Sequence, residues 1–159
     1  MLHINVLCVG KVKETFFKEA IFEYAKRLSR FCDLNIIEIQ DEKIPDKSNE
    51  KIEQEIKDKE GNNILSHIKK DSYIIALDLR GKEFDSVTFS QAISRLSITN
   101  SNITFIIGGS LGLSEKVLSS CNEKICFSKL TFPHQLIRIF LLEQLYRSFK
   151  IANNEAYHK

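Results

Sequence analysis

Five short runs rich in Ile, Val, Leu and Phe alternate along this chain with stretches of helical periodicity, and no other feature restricts its fold as much. The runs are Leu2 to Val9, Leu34 to Gln40, Tyr73 to Leu79, Asn102 to Ile107 and Lys124 to Ser128. Each is bounded by turn residues and has the length and composition of a strand. Between the first two, Glu14 to Phe31 sets Phe17, Ala20, Ile21, Tyr24, Leu28 and Phe31 on one helix face. Ser48 to Lys69 reads as a charge-laced helix with a thin apolar stripe at Ile52, Ile56, Ile64, Leu65 and Ile68. Ser86 to Leu96 and Ser114 to Ser120 supply two shorter helices, and Pro133 to Ile151 a long final one with proline in its first turn. The alternation predicts an α/β fold, a mainly parallel sheet with helices on both faces. Ligands of such sheets gather beyond the carboxyl ends of the strands, which singles out the loops after Leu79, Ile107 and Ser128.

At 159 residues and 18.4 kDa the chain has the size of one domain, spanning 1–159. With 43% hydrophobic and 28% charged residues and only 6 Gly and 2 Pro, disordered and fibrous classes are excluded. The longest apolar stretches, Ile103 to Gly109 and Ile139 to Leu142, fall far short of the roughly 20 residues of a membrane span. The first ten residues alternate apolar and polar and read as a strand, not as a secretory leader. Cys8, Cys32, Cys121 and Cys126 lie mostly in apolar runs, as reduced thiols of a cytoplasmic protein do. Cys121 and Cys126 have no second pair to complete a zinc site, so no metal is expected.

Net charge is +2, but it is unevenly spread. Residues 41 to 60 hold eight acids against five lysines, whereas residues 129 to 159 hold five bases against two acids. A polyanion would therefore meet the C-terminal region.

The stretch Gly108-Gly109-Ser110-Leu111-Gly112 after the fourth strand allows close backbone approach to a ligand, or simply turns the chain into a helix. It has neither the spacing of a P-loop nor that of a dinucleotide fingerprint, and Ser110 lacks the surroundings of a hydrolase nucleophile. On the final helix Glu143, Arg147 and Lys150 form a charged stripe. Arg138 lies on the far side among Leu141, Leu142 and Leu145, with His134 one turn earlier. Apolar residues cover the rest of the circumference. One small domain covering one side of such a helix leaves another for a second copy, which predicts a C2 homodimer with Arg138 near both the interface and the Ser128 loop. An interface ion pair and a functional role are both open to that arginine. The tail, Ala152 to Lys159, has no period and reads as frayed, or as a nucleic-acid contact in which Tyr157 stacks, His158 moves a proton and Lys159 meets a phosphate.

Six segments taken in order carry a family likeness: Val9 to Lys13, Leu77 to Lys82 (LDLRGK), Phe105 to Gly112 (FIIGGSLG), Phe127 to Arg138 (FSKLTFPHQLIR), Leu141 to Arg147 (LLEQLYR) and Glu155 to Lys159 (EAYHK). Together they resemble the bacterial 23S rRNA pseudouridine N3-methyltransferases of the SPOUT class, from one end of the chain to the other. The resemblance implies a homodimer with a C-terminal trefoil knot, a rare exception to unknotted topology, holding S-adenosylmethionine. It also implies a cofactor pocket made of Leu77, Gly108, Phe127, Ser128, Lys129, Leu130, Thr131 and Phe132. The implied substrate is a pseudouridine in helix 69 of 23S rRNA on the assembled ribosome.

For that reaction the acceptor nitrogen must lose a proton. The expected catalytic set is Arg138 beside the developing charge, His158 as proton acceptor and Tyr157 ordering the tail, with Lys159 and Arg147 on phosphates. Two competing readings are a non-catalytic nucleotide-binding module associated with the ribosome, and a SPOUT methyltransferase acting on another RNA base.

Overall fold

The computed structural model describes residues 1–159. Its ten elements are β1 (His3–Val9), α1 (Thr15–Leu28), β2 (Asp33–Ile39), α2 (Glu50–Ser66), β3 (Tyr73–Glu83), α3 (Ser86–Thr99), β4 (Asn102–Ile107), α4 (Glu115–Ser120), β5 (Glu123–Cys126) and α5 (His134–Ala152). All five strands pair in parallel in the order β2-β1-β4-β3-β5. The expected α/β architecture is therefore present, with every strand and helix found.

Alternation along the strands sorts the core into two layers. Ile4, Val6 and Cys8 of β1 pack with Phe105, Ile107, Leu28, Phe89 and the α5 residues Leu141, Leu142 and Leu145. Leu7 and Val9 pack instead with Ile106, Ile64, Val117 and Leu118. Helices α1, α3 and α5 thus cover one face of the sheet and α2 and α4 the other.

The ends of the elements follow local chemistry. α2 starts one residue after Asn49, whose side chain accepts the Ile52 N–H at 3.0 Å. α3 is opened by a capping box between Asp85 and Thr88 and runs to Thr99, beyond the expected Leu96. β5 ends at Cys126, not Ser128, because Cys126 opposite Glu83 is the last residue with a partner in the ladder. Phe127 and Ser128 are released into a loop.

β3 departs most from expectation. It continues to Glu83, and both Leu77 and Lys82 pair with Ile125, so residues 78–81 bow out between them. A Cβ on Gly81 would come within 2.5 to 2.7 Å of the Ile125 backbone. Only glycine allows the bow and β5 to pass this closely.

α5 packs between α1 and α3. Two neighbouring helices and the sheet therefore cover more of α5 than the single side expected, and leave one face open. Its fully buried stripe is Arg138, Leu141, Leu142, Leu145 and Ser148. Leu136, Ile139 and Phe140, turned away from that stripe, remain only half-buried.

Candidate active site

The bow within β3 and the loops after β4 and β5 meet in one cleft of about 850 Å³, so the loop expected after Leu79 is part of β3 and not its end. Of the eight residues expected in the cofactor pocket, Leu77, Gly108, Phe127, Ser128, Leu130, Thr131 and Phe132 line it. Lys129 does not and is exposed. The glycine loop forms a tight turn in which the Gly112 N–H donates to the Gly109 carbonyl at 3.0 Å, and Gly112 has a φ of +80°. A Cβ on Gly108 would press on Gly112 and Leu113 at 3.0 Å. The loop after β5 is braced by the Cys126 thiol, which donates to the Ser128 carbonyl, and by the Ser128 Oγ, which accepts the Leu130 N–H at 3.0 Å.

Asp78, Arg80 and Ile137 also line the cleft and were not singled out from sequence, and so does His134, noted there only as a neighbour of Arg138. Burial alone would raise the Asp78 carboxyl, but side-chain and backbone hydrogen bonds from Arg80 outweigh it and hold the group below its ordinary value. Asp78 is thus an anion at the cleft wall, with Arg80 shared between it at 3.1 Å and Glu115 at 3.2 Å. Burial, aided by the neighbouring Arg138, lowers the His134 imidazole, which keeps it neutral near pH 7. The signal for Asp78 and Arg80 was their place at the end of the strand run Tyr73 to Leu79, within the LDLRGK segment.

Arg138 is not a free cation beside the Ser128 loop. Its side chain is 2% exposed, and Nη1 donates to Glu38 Oε2 at 2.8 Å while Nη2 donates to the carbonyls of Gly10 at 2.7 Å and Val9 at 3.3 Å. Glu38 Oε2 also accepts the Val12 N–H at 2.8 Å. The arginine therefore ties α5 to the turn that leaves β1, because it lies on the helix stripe that faces the sheet. Its Nε finds no acceptor.

The tail is not frayed. The Tyr157 hydroxyl donates to Glu143 Oε1 at 3.2 Å, its ring packs edge-on to Tyr146 at 5.0 Å, and the Arg147 guanidinium lies 4.7 Å from its centre. Glu155 pairs with Lys150 and with Arg30. Arg147 also pairs with Glu143 at 2.7 Å and meets His158 Nδ1 at 3.3 Å, so it is not a free phosphate ligand. His158 is exposed and lines a second cavity of about 750 Å³, which shares Cys126, Phe127, Ser128 and Phe132 with the cleft. Within the chain, then, Tyr157 and His158 gather on the charged stripe of α5, and Arg138 sits on the opposite side.

None of the four cysteines is disulfide-bonded. Burial pushes the thiols of Cys8 and Cys32 up to about 12, which leaves them inert as nucleophiles. No helix is long and apolar enough to cross a membrane.

A five-stranded parallel sheet in which the bow of β3 and the loops after β4 and β5 close on a single cleft is the frame of a SPOUT methyltransferase. The family described as "Predicted SPOUT methyltransferase" matches residues 2–158, and this chain belongs to it. Two relatives, from Clostridium tetani and Clostridium botulinum, are 58% and 59% identical over 159 residues, which is 99% of this chain and 100% of each of theirs; both are called ribosomal RNA large subunit methyltransferase H. A third of the same name, from Clostridium acetobutylicum, is 56% identical over the same span. Among solved structures, a probable methylase family protein from Haemophilus influenzae superposes with a TM-score of 0.55 over 98% of this chain and 70% of its own, at 12% identity, a likeness of fold alone.

Proposed function

We propose that this chain is an S-adenosylmethionine-dependent methyltransferase that modifies N3 of a pseudouridine in helix 69 of 23S rRNA on the assembled ribosome, working as a cytoplasmic homodimer. The observation that carries this reading is the convergence of the β3 bow and the loops after β4 and β5 on one cleft. The shared name of the full-length relatives supports ribosomal RNA as the substrate.

The residues fit the donor. Gly108 has no room for a side chain, so backbone groups form that part of the cleft, while Leu77, Phe127, Leu130 and Phe132 offer apolar walls to an adenine. Asp78, held ionised, is an acceptor for ribose hydroxyls. When bound, the donor supplies a methyl group on a cationic sulfonium.

The chain's own residues position the acceptor and handle its proton. An imide nitrogen carries a proton at neutral pH, and His158, exposed beside the second cavity, takes it directly or through water. Tyr157 anchors the tail that carries the imidazole. Arg138, enclosed by Glu38 and two carbonyls, acts as a positioning residue for the β1 turn and the start of α5. Lys129 and Lys159 are exposed and meet phosphates. The crossing of β5 against Gly81 supports the knot of the family.

Leu130, 69% exposed, and the half-buried Leu136, Ile139 and Phe140 form the apolar surface for a twin subunit. A twin's tail at that surface would bring a second His158 toward the cleft.

The test is to incubate the protein with labelled S-adenosylmethionine and ribosomes lacking the modification, then map the methylated nucleoside by mass spectrometry. Label on N3 of the pseudouridine is expected. Donor binding without transfer would indicate a non-catalytic module, and label on a different base would change the target.

A further inference from the structure

A smaller cavity of about 250 Å³ adjoins the glycine loop, and Gly109, Ser110, Leu111 and His134 line both it and the main cleft. Glu60 enters it from α2. This residue is 6% exposed, yet it carries a carboxylate. Its Oε2 accepts the Glu42 N–H at 3.0 Å, and no group of the protein donates to Oε1. Oε1 faces Gly109, where an added Cβ would lie 3.6 Å away.

The charge around Glu60 makes its burial costlier. Asp41 and Glu42 line the same cavity and add negative potential. Lys43 also lines it and takes part in no ion pair. The remaining titratable group, His134, is neutral for the reasons given above. These side chains do not cluster as metal ligands. A buried carboxylate with one oxygen unused is unfavourable unless a cation satisfies it. Here the free oxygen, the free lysine and the shared glycine loop belong to one cavity beside the donor cleft.

We infer that this cavity receives the amino-acid end of the methyl donor, with Glu60 taking its α-ammonium group and Lys43 its α-carboxylate. The inference rests on the donor assignment proposed above. A zwitterion matches a site that offers one carboxylate and one ammonium, whereas a phosphate or a nucleobase would meet three acids with one cation. Gly109 keeps the passage between cleft and cavity free of a side chain.

Two ligands that share the nucleoside separate this reading from a general weakening of the cleft. S-adenosylhomocysteine has the amino-acid end, and 5′-methylthioadenosine lacks it. Calorimetry on the full-length protein measures both. Glu60→Gln keeps the shape and an acceptor for the Glu42 N–H. It is expected to weaken S-adenosylhomocysteine by roughly tenfold or more, as loss of a charged hydrogen bond does, with methylthioadenosine held within about twofold. Lys43→Ala, at an exposed position where folding is not at stake, is expected to weaken the first ligand by roughly threefold or more and leave the second unchanged. Equal losses for both ligands, or none for either variant, would overturn the inference alone. A wild-type protein that binds neither ligand would overturn the donor assignment with it.

Discussion

Arg138 and Glu38, a hundred residues apart in sequence, form a 2.8 Å ion pair beneath the carboxyl end of β1. The guanidinium is 2% exposed and the carboxylate 36%, so the arginine carries most of the desolvation cost and depends on its acceptors. Besides the carboxylate it has the carbonyls of Gly10 and Val9, and through Glu38 it is linked to the Val12 N–H. The pair is a strut between the second strand and the last helix, and the same guanidinium holds the end of the first strand through the Val9 and Gly10 carbonyls.

Removing one side of this strut exposes the cost of the other. Arg138→Ala is expected to lower stability by about 3 kcal/mol in urea unfolding, since two buried carbonyls and a carboxylate lose their donor. Glu38→Gln should cost less, and the double variant less than the sum of the two. Additive losses would mean that the two side chains do not act as a unit.

Gly81 tests the crossing of β3 and β5. A methyl group there meets the backbone of Ile125, which cannot rotate away as a side chain would. Gly81→Ala is therefore expected to cost about 3 kcal/mol or more, or to prevent folding altogether. An Ala variant with wild-type melting temperature would show that the two segments can separate.

Burial raises the Glu60 carboxyl above its ordinary value. A group whose folded pKa is raised contributes stability that is fully present below the unfolded pKa and is lost as pH rises through the folded pKa. Wild-type apoprotein is thus handicapped at pH 8 relative to Glu60→Gln, and the two should converge towards pH 4. Melting curves across that range check it; a variant less stable than wild type at pH 8 would contradict the sign.

His134 gives the opposite slope. Its pKa is lowered by burial and by Arg138, so its contribution is present above the unfolded value near 6.5 and is lost as pH falls through the folded one. His134→Asn should flatten the loss of stability between pH 7 and pH 5, read from denaturant midpoints.

The tail separates anchoring from proton transfer. Tyr157→Phe removes the hydrogen bond to Glu143 but keeps the packing on Tyr146. Turnover on ribosomes is expected to fall by about tenfold, the lower end of the worth of a hydrogen bond to a charged group, since Glu143 keeps its pairing with Arg147. His158→Ala, which removes the proton acceptor, is expected to cost about a hundredfold with donor affinity unchanged. Equal effects of the two variants would assign the histidine to anchoring as well.

Much of the fold was legible because strands and helices are written in local periodicity. All ten elements were present in the pattern of apolar residues, with shifts at their ends where a cap such as Asn49 or Asp85, or the loss of a ladder partner after Cys126, set the boundary. Two of the three cleft segments, the loops after β4 and β5, followed from the same alternation, since a parallel sheet gathers its loops at one edge; the third is a bow inside β3 that the strand run ending at Leu79 did not reveal. All eight residues expected in the pocket came from family segments, and the fold brings seven of them to one cleft.

What sequence could not decide concerns groups whose meaning depends on distant partners. Arg138 looked like a cation free for chemistry, and Glu60 like one more acid on a solvated helix. Their burial comes from the placement of β1 against α5 and of α2 against the glycine loop, contacts between segments far apart in the chain. The tail's order likewise depends on Tyr146 and Glu143 being presented on the outer side of α5. Period and composition specify which residues form each element, because they act over a few neighbours. Whether a charged side chain ends in water, in an ion pair or at a cavity wall is set by packing across the whole domain, and only the tertiary structure decided it.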